Sequence, residues 1–259
     1  MNDPKTKIVA TIGPASSSVS LLRELMRAGM DVARLNFSHG SYDFYAQVIA
    51  NIRDLNAELG ISTAILADLQ GPKLRVGVMQ NGSIDVPEGS ELIITTEEMV
   101  GVPGKVSTVY KQFPQDVKPG EMVLLDDGKL RMQVLTTDGK TEVKLKVLSG
   151  GKLTDKKGVN LPNTKVSLPC LTDKDKQDLD FALSQDVDWV GLSFVRSARD
   201  IIELKHMIRA QDKHARVVAK IEKPEALLEI DEIIRESDAL MVARGDLGVE
   251  IPMEKVPLI

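Results

Sequence analysis

Lys220, Glu222 and Asp246 are the residues whose types and positions point most directly to chemistry. Lys220 and Glu222 end the apolar run 217–222, and Asp246 follows a second apolar run, 239–243. Short apolar runs bounded by polar helical sequence are typical of parallel strands buried on both faces, and α/β folds carry their chemistry at the carboxyl ends of such strands. Two carboxylates and an ammonium there favour a Mg²⁺ ion that holds a phosphorylated substrate.

Each of these residues also has a structural interpretation. An isolated Glu or Asp at a strand end is better explained by a surface salt bridge, but two neighbouring strand ends favour metal binding. Oxygen ligands without His or Cys select Mg²⁺ or Mn²⁺ over zinc. Lys220 would be structural if its amine snorkelled to solvent. We disfavour this alternative because an unpaired charge at the end of an apolar run is costly to bury.

The bulk composition excludes several classes of function. The chain has 259 residues, of which 42% are hydrophobic and 27% charged, as in ordinary globular proteins. A net charge of −5 with 3% aromatic residues argues against binding to nucleic acid or to an anionic membrane. No segment resembles a signal peptide or reaches membrane-spanning length. The single Cys170 excludes an internal disulfide, and we expect an inert buried thiol there rather than a nucleophile. We therefore expect a cytoplasmic protein.

The elements that must position these residues follow an α/β rhythm that is interrupted once. Apolar runs alternate with amphipathic helical segments and predict six parallel strands, at 7–12, 32–38, 63–69, 189–195, 217–222 and 239–243. Helix starts are predicted at 16–18, near Ser41 and at Thr172, one helix is predicted across 227–234, and a short helix is predicted from Arg244.

The interruption predicts a separate β domain. From Gly71 to about residue 168 the pattern alternates and shows no helix-length periodicity. Asn81-Gly82, Asp127-Gly128 and Asp138-Gly139 predict hairpin turns there. We therefore expect the first part of a barrel domain at 1–70, an inserted all-β lid at 71–168, and a second part of the barrel at 169–259.

Six strands are two fewer than a TIM-type (β/α)₈ barrel needs. An open, doubly wound sheet of six strands is the alternative. The apolar end at 256–259 reads as an interrupted chain, so we expect about six of the eight βα units, with the rest of the barrel and a C-terminal domain absent.

Several segments together resemble the pyruvate kinase family. They are 11–14 (TIGP), 34–40 (RLNFSHG), 71–75 (GPKLR), 157–162 (KGVNLP), 219–222 (AKIE) and 241–250 (MVARGDLGVE). They occur in order over essentially the whole chain, with the lid in place. The resemblance implies phosphoryl transfer from phosphoenolpyruvate to ADP, giving pyruvate and ATP in the last step of glycolysis, by a full-length enzyme that is a homotetramer.

The resemblance also implies roles for individual residues. Glu222 and Asp246 would ligate Mg²⁺ or Mn²⁺, and Lys220 and Arg34 would be catalytic and bind the phosphoryl group. Gly245 and Asp246 would start the helix that holds the substrate carboxylate. The nucleotide would contact Asn36, Ser38, His39, Arg75 and Lys157. For His39 a structural hydrogen bond is an equally good interpretation.

One departure from the family pattern concerns potassium. Many relatives need K⁺, with Glu where this chain has Lys73 and Thr where it has Leu69. Asn36, Ser38, Asp68 and Leu69 would then be the K⁺ ligands, and the ammonium of Lys73 would replace the ion. We expect activity without K⁺. The alternative is a solvent-facing Lys73 at a domain hinge.

Two other functions remain open from the sequence. A metal-dependent aldolase or lyase acting on a pyruvate enolate would share the strand-end carboxylates but would not need the β lid. A truncated fragment that binds ligands without turnover is the non-enzymatic alternative, and we expect this chain alone to lack full activity. Formation of pyruvate that depends on ADP separates these possibilities.

Overall fold

Residues 5–259 are described by the computed structural model. They form two units. The first comprises the described residues up to Pro72, Cys170–Ile221 and Glu225–Val242, and the second comprises Lys73–Pro169, Glu222–Pro224 and Ala243–Ile259. The sequence placed the boundaries at 70/71 and 168/169 and assigned 169–259 wholly to the barrel, whereas 222–224 and 243–259 cluster with the second unit.

The strands, in chain order, are β1 (Ile8–Thr11), β2 (Met30–Asn36), β3 (Ala64–Asp68), β4 (Ser83–Val86), β5 (Glu91–Thr95), β6 (Lys105–Ser107), β7 (Met122–Leu125), β8 (Leu130–Thr137), β9 (Glu142–Ser149), β10 (Gly151–Thr154), β11 (Val159–Asn160), β12 (Trp189–Leu192), β13 (Arg216–Ile221) and β14 (Ala239–Val242). The helices are α1 (Val19–Arg27), α2 (Tyr42–Leu59), α3 (Phe113–Asp116), α4 (Asp173–Ser184), α5 (Ala198–Ala210), α6 (Pro224–Leu228), α7 (Ile230–Glu236) and α8 (Arg244–Glu250). Short 3₁₀ segments lie at Pro14–Ser16, Gln80–Gly82 and Met253–Leu258.

The first unit is built on one parallel sheet of six strands in the order β1-β2-β3-β12-β13-β14. Strands β3 and β13 are buried along almost their whole length, because helices cover parallel sheets and both faces of each strand are apolar. The six predicted strands and the α/β class are confirmed. The chain returns to the same sheet at β12, beside β3, after the long insertion.

Local capping signals placed the starts of α1, α2 and α4 correctly. The Ser18 hydroxyl accepts the Leu21 N–H and caps α1, and Ser41 caps α2 in the same way. Gly60, with φ of +66°, ends α2 in the left-handed conformation that glycine favours. Thr172 and Asp175 form a capping box at α4.

The single helix predicted across 227–234 is wrong. The chain forms α6 and α7 instead, and they are separated at Glu229, where the backbone has φ −116° and ψ 26°. Ala226 and Ile233 are buried, whereas Leu228 is 86% exposed. The segment therefore lacks one continuous buried face, and tertiary packing of such a face is what stabilises most helices.

The second unit contains a β sheet in the order β11-β7-β8-β9-β5-β6 and a separate pair of β4 with β10. The hairpins predicted at Asp127-Gly128 and Asp138-Gly139 are confirmed, since they join the antiparallel pairs β7–β8 and β8–β9. The hairpin predicted at Asn81-Gly82 is wrong, because this turn leads into β4 and β4 pairs with β10. The unit has its own apolar core, which includes Ile94, Val123, Leu125, Met132 and Leu145.

Among residues 5–259, no helix combines the length and the apolarity that crossing a bilayer would require.

The turn between β8 and β9 is stabilised by a titratable carboxylate, that of Asp138. The Asp138 carboxylate accepts the backbone N–H groups of Lys140, Thr141 and Glu142 at 2.8, 2.9 and 2.9 Å. These hydrogen bonds, chiefly that from Glu142, lower the pKa of Asp138 from 3.8 to about 2.

We predict that the stabilisation by Asp138 is fully present above pH 3.8 and is lost as the pH falls through about 2, because the folded state depresses the pKa of this carboxyl. The difference in free energy of unfolding between the wild type and Asp138→Ala should therefore shrink in this window. Denaturant unfolding at several pH values measures it. A difference that stays constant down to pH 2 would contradict the prediction.

Candidate functional site

The carboxyl ends of neighbouring strands bring the first unit's polar residues together. Asp68 is the last residue of β3, and its Cα pairs with those of Asn36 on β2 and Gly191 on β12. Lys220 lies on β13, next to β12. Ser193 directly follows β12. Parallel pairing thus collects charged and hydroxyl side chains at one edge of this sheet, where α/β folds carry their ligand sites.

A buried carboxylate joins two cations at this edge. Asp68 is 1% exposed, and its Oδ2 accepts a hydrogen bond of 2.7 Å from Arg34 Nε. Its Oδ1 lies 3.1 Å from Lys220 Nζ, as an ion pair that lacks hydrogen-bond alignment. An ionised carboxylate at this depth requires such partners, because unpaired burial of a charge is strongly unfavourable.

Hydroxyl groups complete the arrangement. Lys220 Nζ donates to Ser193 Oγ at 2.7 Å, and Arg34 Nη1 donates to Thr11 Oγ1 at 2.7 Å. We refer to Thr11, Arg34, Asp68, Ser193 and Lys220 as the Asp68 cluster. Two cations and one carboxylate give these five side chains a formal charge of +1. The cluster is therefore suited to an anionic ligand.

Gly191 provides the space for the Asp68 carboxylate. A Cβ atom at this glycine would lie 3.0 Å from Asp68 Oδ1. Arg34 holds the carboxylate through its other oxygen, Oδ2. Gly191 therefore allows the Asp68 carboxylate to lie close to the backbone of β12.

The loop after β2 is ordered by an aromatic residue. The Tyr45 hydroxyl donates to the Asn36 carbonyl at 2.7 Å, and the Tyr45 ring stacks on Phe37 with 4.3 Å between centroids. Burial raises the pKa of the Tyr45 phenol to about 12. The side-chain oxygen of Asn36 accepts the backbone N–H of Ser38, and the N–H of His39 donates to the carbonyl of Asn36. Three residues predicted to bind nucleotide therefore share one ordered loop.

The predicted metal ligands belong to the second unit. Glu222 is 2% exposed, and Asp246 is half-buried in the first turn of α8. The end of α8 is tied down because Glu250 accepts from Lys223 Nζ at 2.8 Å and from Asn160 at 2.9 Å. Within residues 5–259, no group of three or more His, Cys, Asp or Glu side chains could hold a metal. Mg²⁺ often takes only one or two protein carboxylates, so the two predicted ligands still fit it in kind.

The predicted short helix at Arg244 is confirmed as α8, but Gly245 needs no special backbone there. It is absent from the glycines with positive φ, and a Cβ atom at this position would meet nothing within 4 Å. The space beside it is open, as the predicted close approach of a ligand requires.

The predicted nucleotide contacts Arg75 and Lys157 also lie in the second unit. Arg75 Nη1 donates to the Lys156 carbonyl at 2.9 Å, and Lys157 Nζ lies 2.8 Å from Asp126. The hydrogen bond with Lys157 lowers the pKa of Asp126 and raises that of Lys157. The Arg75 guanidinium and the Lys157 ammonium are thus each held by a neighbouring group, and their role in nucleotide binding stays a prediction.

Several predicted potassium ligands already have hydrogen-bond donors. Asn36 Oδ1 accepts from the Ser38 backbone, Asp68 Oδ2 accepts from Arg34, and the Leu69 carbonyl accepts from the Ser193 hydroxyl at 2.7 Å. Lys73, the proposed replacement for the ion, belongs to the second unit.

Sequence reasoning missed part of the cluster. Asp68 was predicted only as a potassium ligand, and neither Ser193 nor Thr11 was predicted as a site residue. Both carry the signal that singled out Lys220, a polar residue at the end of an apolar strand.

We predict that Gly191→Ala destabilises the protein by about 1–3 kcal/mol, because the added methyl group meets a carboxylate that Arg34 prevents from retreating. Urea unfolding measures the change. Gly13→Ala is the matched control, since a Cβ atom at Gly13 would meet nothing within 4 Å. Equal stability of the two variants would show that the close approach of Gly191 and Asp68 is not tight.

Comparison with known proteins places this geometry in context. The family model described as "Pyruvate kinase, barrel domain" matches residues 3–259. The chain is 49% identical over 257 residues to the pyruvate kinase of Geobacillus stearothermophilus, 47% identical to that of Staphylococcus saprophyticus and 46% identical to that of Bacillus licheniformis. Each alignment covers 98% of this chain and 44% of the relative. The chain thus spans less than half the length of these curated relatives, and the predicted barrel class and family resemblance are confirmed.

Proposed function

The chain belongs to the pyruvate kinase family, whose barrel domain its sequence matches, and on this premise we propose that it serves the transfer of the phosphoryl group of phosphoenolpyruvate to ADP. In this reaction the bond between phosphorus and the enol oxygen breaks, and phosphorus bonds to a terminal oxygen of ADP. The enolate takes up a proton and becomes pyruvate. The other product is ATP.

The observation that carries the proposal is the pairing of Arg34 and Lys220 through the Asp68 carboxylate. Phosphoryl transfer asks a protein mainly for positioning and for cations that stabilise charge on the transferring group. A guanidinium fork matches phosphate oxygens, and an ammonium supplies a point charge. Because Asp68 is buried and contacts both cations, it holds them at fixed places before a substrate arrives.

We assign Arg34 to binding the phosphoryl group and Lys220 to stabilising it during transfer. Lys220 is 8% exposed, and its amine donates a hydrogen bond to Ser193. Little reorganisation is then needed when charge develops, and preorganised charges of this kind make the largest contributions to catalysis.

Glu222 and Asp246 are the residues that would hold a divalent ion, Mg²⁺ or Mn²⁺. Their oxygen donors suit these hard cations. A bound ion would supply additional neutralisation of the phosphoryl oxygens. The open space beside Gly245, at the start of α8, supports a role in admitting the substrate.

For the nucleotide, we propose that Arg75 and Lys157 contact the phosphates of ADP and that the loop of Asn36, Ser38 and His39 also contacts the nucleotide. The ordering of that loop by Tyr45 supports this assignment. A homotetrameric assembly and a cytoplasmic location belong to the same proposal, and light scattering of the purified protein tests the first of them.

We predict that Lys220→Met lowers kcat for pyruvate formation at least about a hundredfold, as expected for the loss of a charge that acts on the transition state. The assay measures pyruvate in the presence and absence of ADP. Pyruvate formed without ADP would instead favour an aldolase or lyase.

Lys205→Met is the control for Lys220→Met. It removes a partly exposed lysine that pairs with Asp238 at 3.2 Å, and it should leave kcat unchanged. Equal loss in both variants would remove Lys220 from the proposed role.

We predict that replacing K⁺ by a tetraalkylammonium salt changes the rate by less than about twofold, or ~0.4 kcal/mol. The prediction follows from the donors that already bind Asn36 Oδ1, Asp68 Oδ2 and the Leu69 carbonyl, and from the ammonium of Lys73. Lys73→Glu should make the rate depend on K⁺. A collapse of the wild-type rate without K⁺ would refute the prediction.

A further inference from the structure

We propose that Ser193 is a positioning residue that sets where the Lys220 ammonium sits at the transferring phosphoryl group. The inference rests on the proposed function for its catalytic consequence. The contact itself is Lys220 Nζ to Ser193 Oγ, at 2.7 Å. Ser193 is 1% exposed and Lys220 is 8% exposed, so water competes little for this hydrogen bond.

The direction of the hydrogen bonds around Ser193 follows from its chemistry. A serine hydroxyl has one proton to donate and lone pairs to accept with. The carbonyl of Leu69 can only accept, and it lies 2.7 Å from Ser193 Oγ. The proton of Ser193 therefore points to Leu69, and a lone pair faces the ammonium. Ser193 is thus a fixed acceptor for Lys220.

The backbone around Ser193 is held on several sides. The Cys170 thiol donates to the Ser193 carbonyl at 3.1 Å. A Cβ atom at Gly71, where φ is +70°, would lie 3.0 Å from Ser193 Cβ and 2.7 Å from the Phe194 ring, so only glycine fits there. Phe194 itself adopts φ of 56°, which is strained for an aromatic residue. Strained and tightly packed backbone of this kind is typical of segments that position functional groups.

Ser193 and Asp68 act on the ammonium from different strand ends. Asp68 Oδ1 attracts it across 3.1 Å, while Ser193 Oγ holds it by a hydrogen bond. Removing the hydroxyl takes away the hydrogen bond from Ser193 and leaves the attraction of Asp68 in place. The ammonium should then move toward the carboxylate and away from the position set by β12.

The test compares Ser193→Ala with Ser193→Cys. We expect Ser193→Ala to lower kcat about tenfold or more while KM for phosphoenolpyruvate changes little, because the lost contact acts on the transferring group. Cysteine fills the space of serine but accepts hydrogen bonds weakly. If Ser193 positions the ammonium, kcat of the cysteine variant stays near that of the alanine variant. A packing role predicts instead that cysteine restores the wild-type rate.

Thr63→Val is the matched control. Thr63 is also buried, at 5% exposure, and its hydroxyl donates to a backbone carbonyl, that of Met30, at 3.0 Å. The substitution removes a comparable hydrogen bond without touching the Asp68 cluster. It should match Ser193→Ala in thermal stability and match the wild type in kcat. Equal kcat losses in the two variants would overturn the proposal.

A second measurement separates this inference from the proposed function. In protein labelled with ¹⁵N-lysine, the Nζ resonance of Lys220 is assigned by its disappearance in Lys220→Met. We expect Ser193→Ala to shift this resonance and speed its proton exchange, whether or not the protein forms pyruvate. An unchanged resonance would sink the positioning role. Absence of pyruvate formation in the wild type, with the resonance shifted as expected, would defeat only the proposed function.

Discussion

The arrangement of residues at the carboxyl ends of the first unit's strands depends on the burial of one negative charge. Asp68 stands at the end of a strand that is buried on both faces, and it has almost no exposed surface. An ionised carboxylate at such a position is tolerated only when cations and hydrogen-bond donors surround it. Arg34 and Lys220 meet that need at different oxygens of the carboxylate.

The same constraint explains the small and polar residues around the carboxylate. Gly191 has no side chain where one would push against Asp68, and Ser193 supplies the acceptor that shares the Lys220 ammonium. The hydroxyl thus gives the ammonium a second, directional contact, and the glycine leaves room for the carboxylate.

Sequence patterns predicted what depends on neighbours in the chain. Ser18, Ser41 and Thr172 were identified as helix caps because capping is local. The apolar runs predicted six parallel strands, including the three that follow the insertion. Asn81-Gly82 and the break at Glu229 were missed, since the strand partner of β4 and the burial of 227–234 depend on distant segments.

The cluster was predictable in its charges but not in its contacts. Lys220 and Arg34 follow from apolar strands that end in cations, together with the family motifs. The hydrogen bond from Ser193 to Leu69 joins residues 124 positions apart, so no spacing along the chain reveals it. The two cations that contact Asp68 likewise lie on other strands, Arg34 on β2 and Lys220 on β13, so their contacts depend on how the strands pair.

The outer strands of the six-stranded sheet have a practical consequence. In β1, Ile8 and Val9 are 51% and 49% exposed, and in β14 Leu240 and Val242 are each 39% exposed. Apolar strands with an unpaired edge recruit further strands, from copies of the same chain if nothing else is available. Copies of this chain would therefore tend to associate along β1 and β14 at high concentration. Lysine substitutions at Ile8 and Val242 should reduce this association.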